Sequence, residues 1–198
     1  MEAVSKRILD YAVLHKCITK EQYEEYVYMM TMILNIIVTD ISLLLIGIAM
    51  HMVWECIVFW LIYKALRKYC GGFHFSTSFR CYLSTIIMCP IVLYIIKFMP
   101  ISMVILALIT STATLVLLVL VPVEAVNKPL DKDETIVFGK VARILTAVAF
   151  IIFLLTALLN LYIIAKVMTL SIASVTVFVI AGKLHLEYLH KKSPKASV

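Results

Sequence analysis

Apolar residues in this chain are gathered into six uninterrupted runs that short polar segments separate. The runs cover residues 27–50, 52–66, 81–99, 101–123, 141–165 and 167–182. The first, fourth and fifth exceed the roughly 20 residues that a helix needs to cross a hydrocarbon core. The second and sixth are short, and each follows its predecessor after one residue, His51 or Lys166. The pattern predicts an all-α, polytopic transmembrane helix bundle, with either six spans or four spans and two re-entrant segments.

Basic residues separate these alternatives because they are distributed unevenly over the polar segments. Lys and Arg number four in residues 1–26, none around His51, four in 64–80, one at Lys97, four in 128–143, one at Lys166 and four from residue 183 onward. If all six runs cross, sixteen of the eighteen basic residues lie on one side, which the positive-inside rule makes the cytoplasmic side. The alternation therefore favours six spans with both termini in the cytoplasm.

The chain is expected to form a single integral membrane domain that begins with an amphipathic helix at the membrane interface. This helix would present Val4, Ile8, Tyr11 and Ala12 on one face and Lys6, Arg7 and Asp10 on the other. The expected segments are the interfacial helix (1–26), spans one and two (27–66), a cytosolic connector (67–80), spans three and four (81–123), a cytosolic loop (124–140), spans five and six (141–182) and a cytosolic tail (183–198).

Composition supports this reading, since 63% of the 198 residues are hydrophobic and 15% are charged. Soluble domains are typically about 45–50% apolar and about 25% charged. With a mean hydropathy of +1.03 the chain lacks the polar surface to cover a globule. Soluble enzymes, nucleic-acid-binding domains and secreted disulfide scaffolds are excluded. The odd count of five cysteines also argues against disulfides, as does a reducing cytosol at the main cysteine cluster.

The polar connector between the second and third runs concentrates reactive and conformationally special residues. It holds Cys70, the diglycine Gly71-Gly72, His74 and, at its end, Cys81. A diglycine permits positive φ angles and close approach of the backbone to another group. Three hydroxyl residues that are good helix N-caps follow it, Ser76, Thr77 and Ser78.

The spacing of His74 and Cys81 leaves two interpretations. On one continuous helix, residues seven apart lie about 10 Å apart along the axis, too far for a thiol and its base. Either the two residues do not form a dyad, or the helix begins after His74. The cap cluster and the glycines favour a helix that begins after His74, with Cys81 in its first turn. Helix N-termini and imidazolium groups both stabilise thiolates, so the pattern fits a cysteine nucleophile with a histidine base.

Three less specific interpretations apply to the same residues. The pair is alternatively a packed thiol and an interfacial histidine. Cys70, His74 and Cys81 are alternatively metal ligands, although a fourth ligand is not evident and the spacing matches no common zinc site. The basic connector is alternatively a topology signal or a site for anionic lipid.

The residues Arg67, Gly71-Gly72, His74 and Cys81, in a small polytopic chain with an amphipathic N-terminus, resemble the signature of the accessory gene regulator B family. The segment Pro122-x-Glu124-x-x-Asn127-Lys128-Pro129-Leu130 resembles a cytoplasmic loop of some members. The span layout is similar over essentially the whole chain, and residues 67–81 are the specific part.

The resemblance implies a membrane cysteine endopeptidase of bacterial peptide quorum sensing, located in the cell membrane and needing no cofactor or metal. Such an enzyme cleaves the C-terminal tail from an amphipathic precursor and helps to close the remainder into a thiolactone or lactone autoinducing peptide. By the family pattern Cys81 is the nucleophile and His74 is the general base, while Arg67, Gly71 and Gly72 support them.

The partners expected are this precursor, membrane lipid and, given the lipid-facing helices, a second copy in a homodimer. Arg67 with Lys68 and Arg80 would form a positive rim for an acidic precursor tail. Glu124, Asn127 and Lys128 are candidate substrate contacts, with a solvated loop face as the alternative.

Asp40 lies about midway along the first run, where an ionisable residue is costly. It either orients His74 or forms hydrogen bonds between spans. Glu55 is expected to pair with Lys97 near the outer face. A competing functional class is a small peptide transporter or exporter with Asp40 and Glu55 as coupling groups, and a second is a non-enzymatic scaffold. Neither class explains the glycines, histidine and cysteine gathered at one connector.

Overall fold

The computed structural model describes residues 2–14, 22–73, 75, 77–124 and 131–192. Seven helices account for most of them: α1 (Glu2–Leu14), α2 (Tyr23–Ala49), α3 (Val53–Cys70), α4 (Ser78–Phe98), α5 (Met103–Leu120), α6 (Lys132–Leu158) and α7 (Tyr162–Lys192). Within these ranges the one β-type pairing is an isolated parallel bridge between Gly71 and Val123. The all-α prediction is confirmed for this part of the chain.

Five of the helices, α2, α4, α5, α6 and α7, are long and apolar enough to cross a membrane, so this is a multi-pass membrane protein. The helix α3 has 18 residues, which corresponds to about 27 Å. It carries four charged side chains and does not belong to this group of five. A count of six spans therefore stays a prediction.

The core of the bundle is built around α7, which packs against α3, α5 and α6. On the outside of this core, α2 packs against α3, and α4 packs mainly against α2. Two threonines join α5 to α7 through hydroxyls 2.7 Å apart, Thr110 and Thr169. Lipid tails are as apolar as the side chains, so burial of apolar surface does not drive helices together in a membrane. Packing and interhelical hydrogen bonds of this kind contribute instead. The largest fully buried side chains include Phe59, Leu66, Leu106, Leu117, Phe153, Ile172, Val175 and Val179.

The N-terminal helix α1 packs along the start of α2. Ser5 and Leu9 are buried at this contact, and Thr31 donates a 2.8 Å hydrogen bond to the Ser5 hydroxyl. The face predicted to be apolar is exposed, with Val4, Ile8 and Tyr11 all more than 40% accessible. The structure has a helix at the N-terminus, but it is shorter than the predicted segment 1–26, because α1 ends at Leu14 and α2 begins at Tyr23. Its location at a membrane interface stays a prediction.

The boundary between the last two helices differs from the prediction. The sequence pattern placed the break at Lys166, but α6 ends at Leu158 and α7 begins at Tyr162. Asn160 makes the turn with a φ of +55°, a left-handed conformation that asparagine tolerates better than most residues. Lys166 is a buried residue inside α7.

Three further boundaries differ from the prediction because helices continue beyond their apolar runs. The sixth segment is not short, because α7 extends through part of the predicted tail to Lys192. Within the predicted loop 124–140, α6 is already helical from Lys132. The connector shortens to residues 71–77, since α3 runs to Cys70 and α4 begins at Ser78.

Two lysines cap helix C-termini at the end of the bundle opposite the connector. The Lys166 ammonium donates to the carbonyls of Ile96, at 3.0 Å, and Met99, at the end of α4. Lys97 donates to the carbonyl of Met50, at the end of α2, at 2.8 Å. The predicted pairing of Lys97 with Glu55 is therefore wrong. The partial negative charge of a helix C-terminus attracts each ammonium instead.

We predict that Lys166→Met lowers the thermal unfolding midpoint in detergent by about 4–8 °C. Methionine leaves the α4 carbonyls without their donor, and a hydrogen bond to a charged group is worth about 2 kcal/mol. Circular dichroism melts measure the change. Lys97→Met removes an exposed contact of the same kind and should shift the midpoint by less than half as much. Equal shifts for the two variants would contradict a special role for the buried lysine.

Candidate active site

The diglycine after α3 has a conformation that other residues would strain. Gly71 and Gly72 have φ angles of +70° and +104°, which L-residues rarely adopt. A Cβ atom on Gly71 would lie 2.0 Å from the carbonyl oxygen of Val123. On Gly72 it would lie 2.6 Å from the carbonyl oxygen of Phe178. The predicted close approach of the backbone is confirmed at both positions.

Backbone hydrogen bonds attach the start of the connector to two other parts of the bundle. The segment after α5 pairs with it, because Val123 donates to the carbonyl of Cys70 at 3.0 Å and Gly72 donates to the carbonyl of Val123 at 2.9 Å. On the other side, the N–H of Phe73 donates to the carbonyl of Phe178, on α7, at 2.8 Å. The chain just before His74 is therefore held from two directions.

Arg67, on the last turn of α3, completes this arrangement. Its guanidinium donates to the carbonyls of Gly71 and Phe73. It also lies over the Phe178 ring, with Cζ 4.8 Å from the ring centroid. Five fixed donors in one plane suit arginine to bind two carbonyls at once. The contacts agree with a supporting role for Arg67, and they engage it with the connector rather than leaving it free for a substrate rim.

The helix α4 begins where the hydroxyl cluster predicted. Thr77 is the N-cap, and its side chain accepts a hydrogen bond from the N–H of Arg80 at 3.4 Å. The N–H of Cys81 donates to the Thr77 carbonyl at 3.2 Å, so Cys81 closes the first turn of α4. This position of Cys81 is confirmed. His74 lies outside the described residues, and its pairing with Cys81 stays a prediction.

Exposure distinguishes Cys81 from the other described cysteines. Cys56, Cys70 and Cys89 are buried, whereas Cys81 is partly accessible. Among residues 78–88 of α4 none is buried, while four residues of its second half, Cys89, Val92, Leu93 and Ile96, are. The first half of α4 thus presents an open surface on which a peptide could reach the Cys81 thiol.

Cys70 is a neighbouring thiol with the opposite properties. It is the last residue of α3, beyond the apolar run 52–66, and it is completely buried. Burial raises the pKa of the Cys70 thiol to about 11, although a hydrogen bond with Thr146 acts in the other direction. Because the thiolate is the nucleophile and the metal ligand, Cys70 is suited to neither task. Among the described residues no group of three or more metal-ligating side chains is placed to hold an ion.

Asp40 has its partners on α3. Its carboxylate accepts a 2.7 Å hydrogen bond from Trp60 Nε1 and forms an ion pair with Lys64 at 3.2 Å. Two residues further along α2, the Ser42 and Tyr82 hydroxyls are 3.0 Å apart. These contacts agree with the interpretation that Asp40 forms hydrogen bonds between helices. Its alternative role, orienting His74, stays a prediction.

The remaining candidate substrate contacts are dispersed. Lys68 and Arg80 are exposed, the first with its ammonium 5.2 Å from the Tyr69 ring centroid. Glu124 is partly buried, next to the bridge at Val123. Asn127 and Lys128 lie outside the described residues.

Two site residues were not assigned a role from the sequence. Tyr63, buried on α3, makes an edge contact with the ring of Phe178, which lies under the Arg67 guanidinium. Gly182 on α7 faces the connector so closely that a Cβ atom there would lie 2.5 Å from the carbonyl carbon of Gly72 and from the nitrogen of Phe73. In the sequence, Gly182 is only a small residue suited to helix packing. Its role depends on which segment the fold places against α7.

The fold and this site define a helical multi-pass membrane protein. An accessible cysteine lies in the first turn of one of its helices, and hydrogen bonds hold the glycine-containing connector that precedes this helix. A profile of the accessory gene regulator B family matches residues 5–180, so the chain belongs to that family. No curated protein and no solved structure matches the chain. Membership supports an involvement in quorum-sensing peptide processing.

We predict that a polar alkylating reagent at pH 7.5 modifies Cys81 on the order of 100-fold faster than Cys70, because a buried thiol with a raised pKa supplies almost no accessible thiolate. Peptide-level mass spectrometry of the intact protein in lipid nanodiscs gives both rates in one experiment. Denaturation before labelling should abolish the difference. Comparable rates in the folded protein would contradict the burial of Cys70.

Proposed function

We propose that this protein is a membrane cysteine endopeptidase that removes the C-terminal tail of a quorum-sensing precursor and promotes closure of the remainder into a cyclic autoinducing peptide. The observation that carries the proposal is Cys81, an accessible thiol in the first turn of α4. Family membership supports the substrate class. His74, seven residues earlier, is the general base.

The first half of the reaction forms an acyl-enzyme. His74 takes the proton of the Cys81 thiol, and the thiolate attacks a carbonyl carbon of the precursor. The tetrahedral intermediate collapses, the C–N bond breaks, and the imidazolium returns its proton to the leaving amine. The C-terminal fragment departs, and the N-terminal part of the precursor remains as a thioester on Cys81.

The second half closes the ring. A cysteine or serine side chain upstream in the bound precursor loses its proton to His74 and attacks the thioester carbonyl, which releases the Cys81 thiolate. The product is a thiolactone or a lactone. No ATP is consumed, because the acyl group stays activated throughout. A site that excludes water protects the thioester from hydrolysis.

The start of α4 supplies hydrogen-bond donors for the oxyanion. The first N–H groups of a helix have no intrahelical partner. The Thr77 side chain occupies the N–H of Arg80, which leaves those of Ser78 and Phe79 as the candidates. They belong to the same helical turn as Cys81, as an oxyanion hole next to a nucleophile requires.

The precursor is expected to bind along the open first half of α4. Phe79 is 69% exposed and offers an apolar surface beside the nucleophile. Lys68 and Arg80 are exposed cations that could attract an acidic tail. Arg67 serves the connector instead, and Glu124, Asn127 and Lys128 are further candidate contacts.

We place the protein in the bacterial cell membrane with six spans, cytoplasmic termini and the active site at the cytoplasmic face, where the precursor is made. The distribution of basic residues supports this orientation. In this arrangement α1 lies at the inner leaflet with its exposed apolar face in the lipid interface, and a homodimer in the membrane is compatible with the lipid-facing helices.

Intact mass spectrometry of the protein in lipid, after incubation with an amphipathic precursor that has a central cysteine and an acidic tail, tests the proposal. Wild type should gain the mass of the N-terminal precursor fragment on Cys81. Cys81→Ala should show no adduct, and His74→Ala should reduce the rate of adduct formation by at least about 100-fold. Cys70→Ala is the matched control and should form the adduct at the wild-type rate. No adduct and no released tail from folded wild type would overturn the proposal.

Asp40→Asn separates the protease from a transporter that uses Asp40 and Glu55. Asparagine keeps an acceptor for Trp60 Nε1 and loses only the ion pair with Lys64, so the contact between α2 and α3 should be retained. We therefore expect the adduct rate to stay within about threefold of wild type. An unchanged adduct with abolished export from vesicles would point to a coupling role for Asp40, and a lost adduct would point to a catalytic role.

A further inference from the structure

We propose that Gly182 and Phe178 of α7 are positioning residues for His74, so that the last helix of the bundle belongs to the catalytic machinery. The inference rests on the proposed function and adds a part of the chain about one hundred residues distant from the nucleophile in sequence. It concerns how the connector is held rather than which groups react.

The first observation is the contact between Gly182 and the connector backbone. A Cβ atom on Gly182 would lie 2.5 Å from both the carbonyl carbon of Gly72 and the nitrogen of Phe73, and 2.7 Å from the Cα of Gly72. These are backbone atoms, which cannot rotate away as the end of a flexible side chain can. Any residue other than glycine at position 182 must displace either α7 or the connector.

The second observation is the hydrogen bond that this contact permits. The carbonyl of Phe178, four residues before Gly182 in the same helix, accepts the N–H of Phe73 at 2.8 Å. A carbonyl within a helix already accepts one intrahelical bond and has a second lone pair for an outside donor. An outside N–H reaches it only where the helix surface is not covered by a side chain, and Gly182 provides that opening.

The third observation is that the Phe178 side chain supports the same segment. Its ring lies under the Arg67 guanidinium and makes an edge contact with Tyr63, with ring centroids 6.3 Å apart. Arg67 in turn donates to the carbonyls on both sides of Gly72, those of Gly71 and Phe73. Phe178 thus holds the connector directly through its carbonyl and indirectly through Arg67.

The position of Phe73 bears on catalysis because His74 is the next residue. Consecutive Cα atoms are about 3.8 Å apart, so fixing the backbone of Phe73 fixes the point from which His74 extends. On the other side, Phe75 contacts the Phe73 ring, with centroids 5.0 Å apart. A displacement of the connector by about 1 Å is enough to cost a proton-transfer step roughly 100-fold.

Gly182→Ala is the sharpest test, because alanine has a higher helix propensity than glycine and α7 should keep its structure. We expect kcat for precursor cleavage to fall about 10- to 100-fold while KM changes less than about threefold. Gly47→Ala is the matched control. It crowds Cys56, with its Cβ 3.0 Å from that of Cys56, at the end of the bundle opposite the connector, and cleavage should stay within about threefold of wild type.

A readout independent of the precursor is the rate at which iodoacetamide alkylates Cys81 between pH 5 and 9. His74→Ala should remove the histidine-dependent part of this pH profile, and Gly182→Ala should reproduce the His74→Ala profile while its helical content stays that of wild type. If His74→Ala leaves the profile unchanged, the dyad itself is wrong. If His74→Ala changes the profile and Gly182→Ala does not, the dyad stands and the positioning role of α7 is overturned.

A second variant keeps the inference testable should Gly182→Ala fail to fold. Phe178→Leu retains the helix and its carbonyl but removes the ring under Arg67, and it should lower kcat about 3- to 10-fold with the same change in the pH profile. A wild-type profile in folded Phe178→Leu, together with unfolded Gly182→Ala, would assign α7 a purely structural role.

Discussion

The backbone of residues 70–73 imposes the constraint on which the rest of the site depends. Cys70 and Gly72 are buried by the neighbouring helices, so the N–H and C=O groups of this turn need hydrogen-bond partners within the protein. Here the groups are bonded to Val123, Phe178 and the Arg67 side chain. Each bond requires a neighbouring element to approach within van der Waals distance of a backbone. Glycine on both sides of the contact, at 71–72 and at 182, is what makes that approach sterically feasible.

The connector and the start of α4 differ in how they are held. Hydrogen bonds join the connector to the segment after α5 and to α7, whereas none of residues 78–88 of α4 is buried and Cys81 is partly accessible. The second half of α4 is buried and its C-terminus is capped by Lys166. A nucleophile on an accessible helix start, next to a connector held by several hydrogen bonds, combines substrate access with fixed geometry, and a covalent transfer step needs both.

The two lysines at the opposite end explain the exceptions in the charge pattern. Basic residues inside the clusters also have partners in the bundle: Lys64 pairs with Asp40, Arg67 binds the connector carbonyls, and Arg143 donates to the carbonyl of Val121. Lys97 and Lys166 are likewise engaged, each with the carbonyls that end a helix. Helix capping therefore accounts for the two basic residues that lie outside the basic clusters.

The sequence by itself determined the helical class, most helix positions, a hydroxyl N-cap within residues 76–78, the need for glycine at 71–72 and the place of Cys81 in the first turn of α4. All of these follow from local properties, namely apolar run length, hydroxyl caps and backbone freedom. The tertiary structure decided the partners of Asp40, the burial of Cys70 and Lys166, and the role of Gly182. Those features depend on which helices become neighbours. A contact between residues far apart in the chain, such as Gly182 and Gly72, leaves no local pattern in a single sequence.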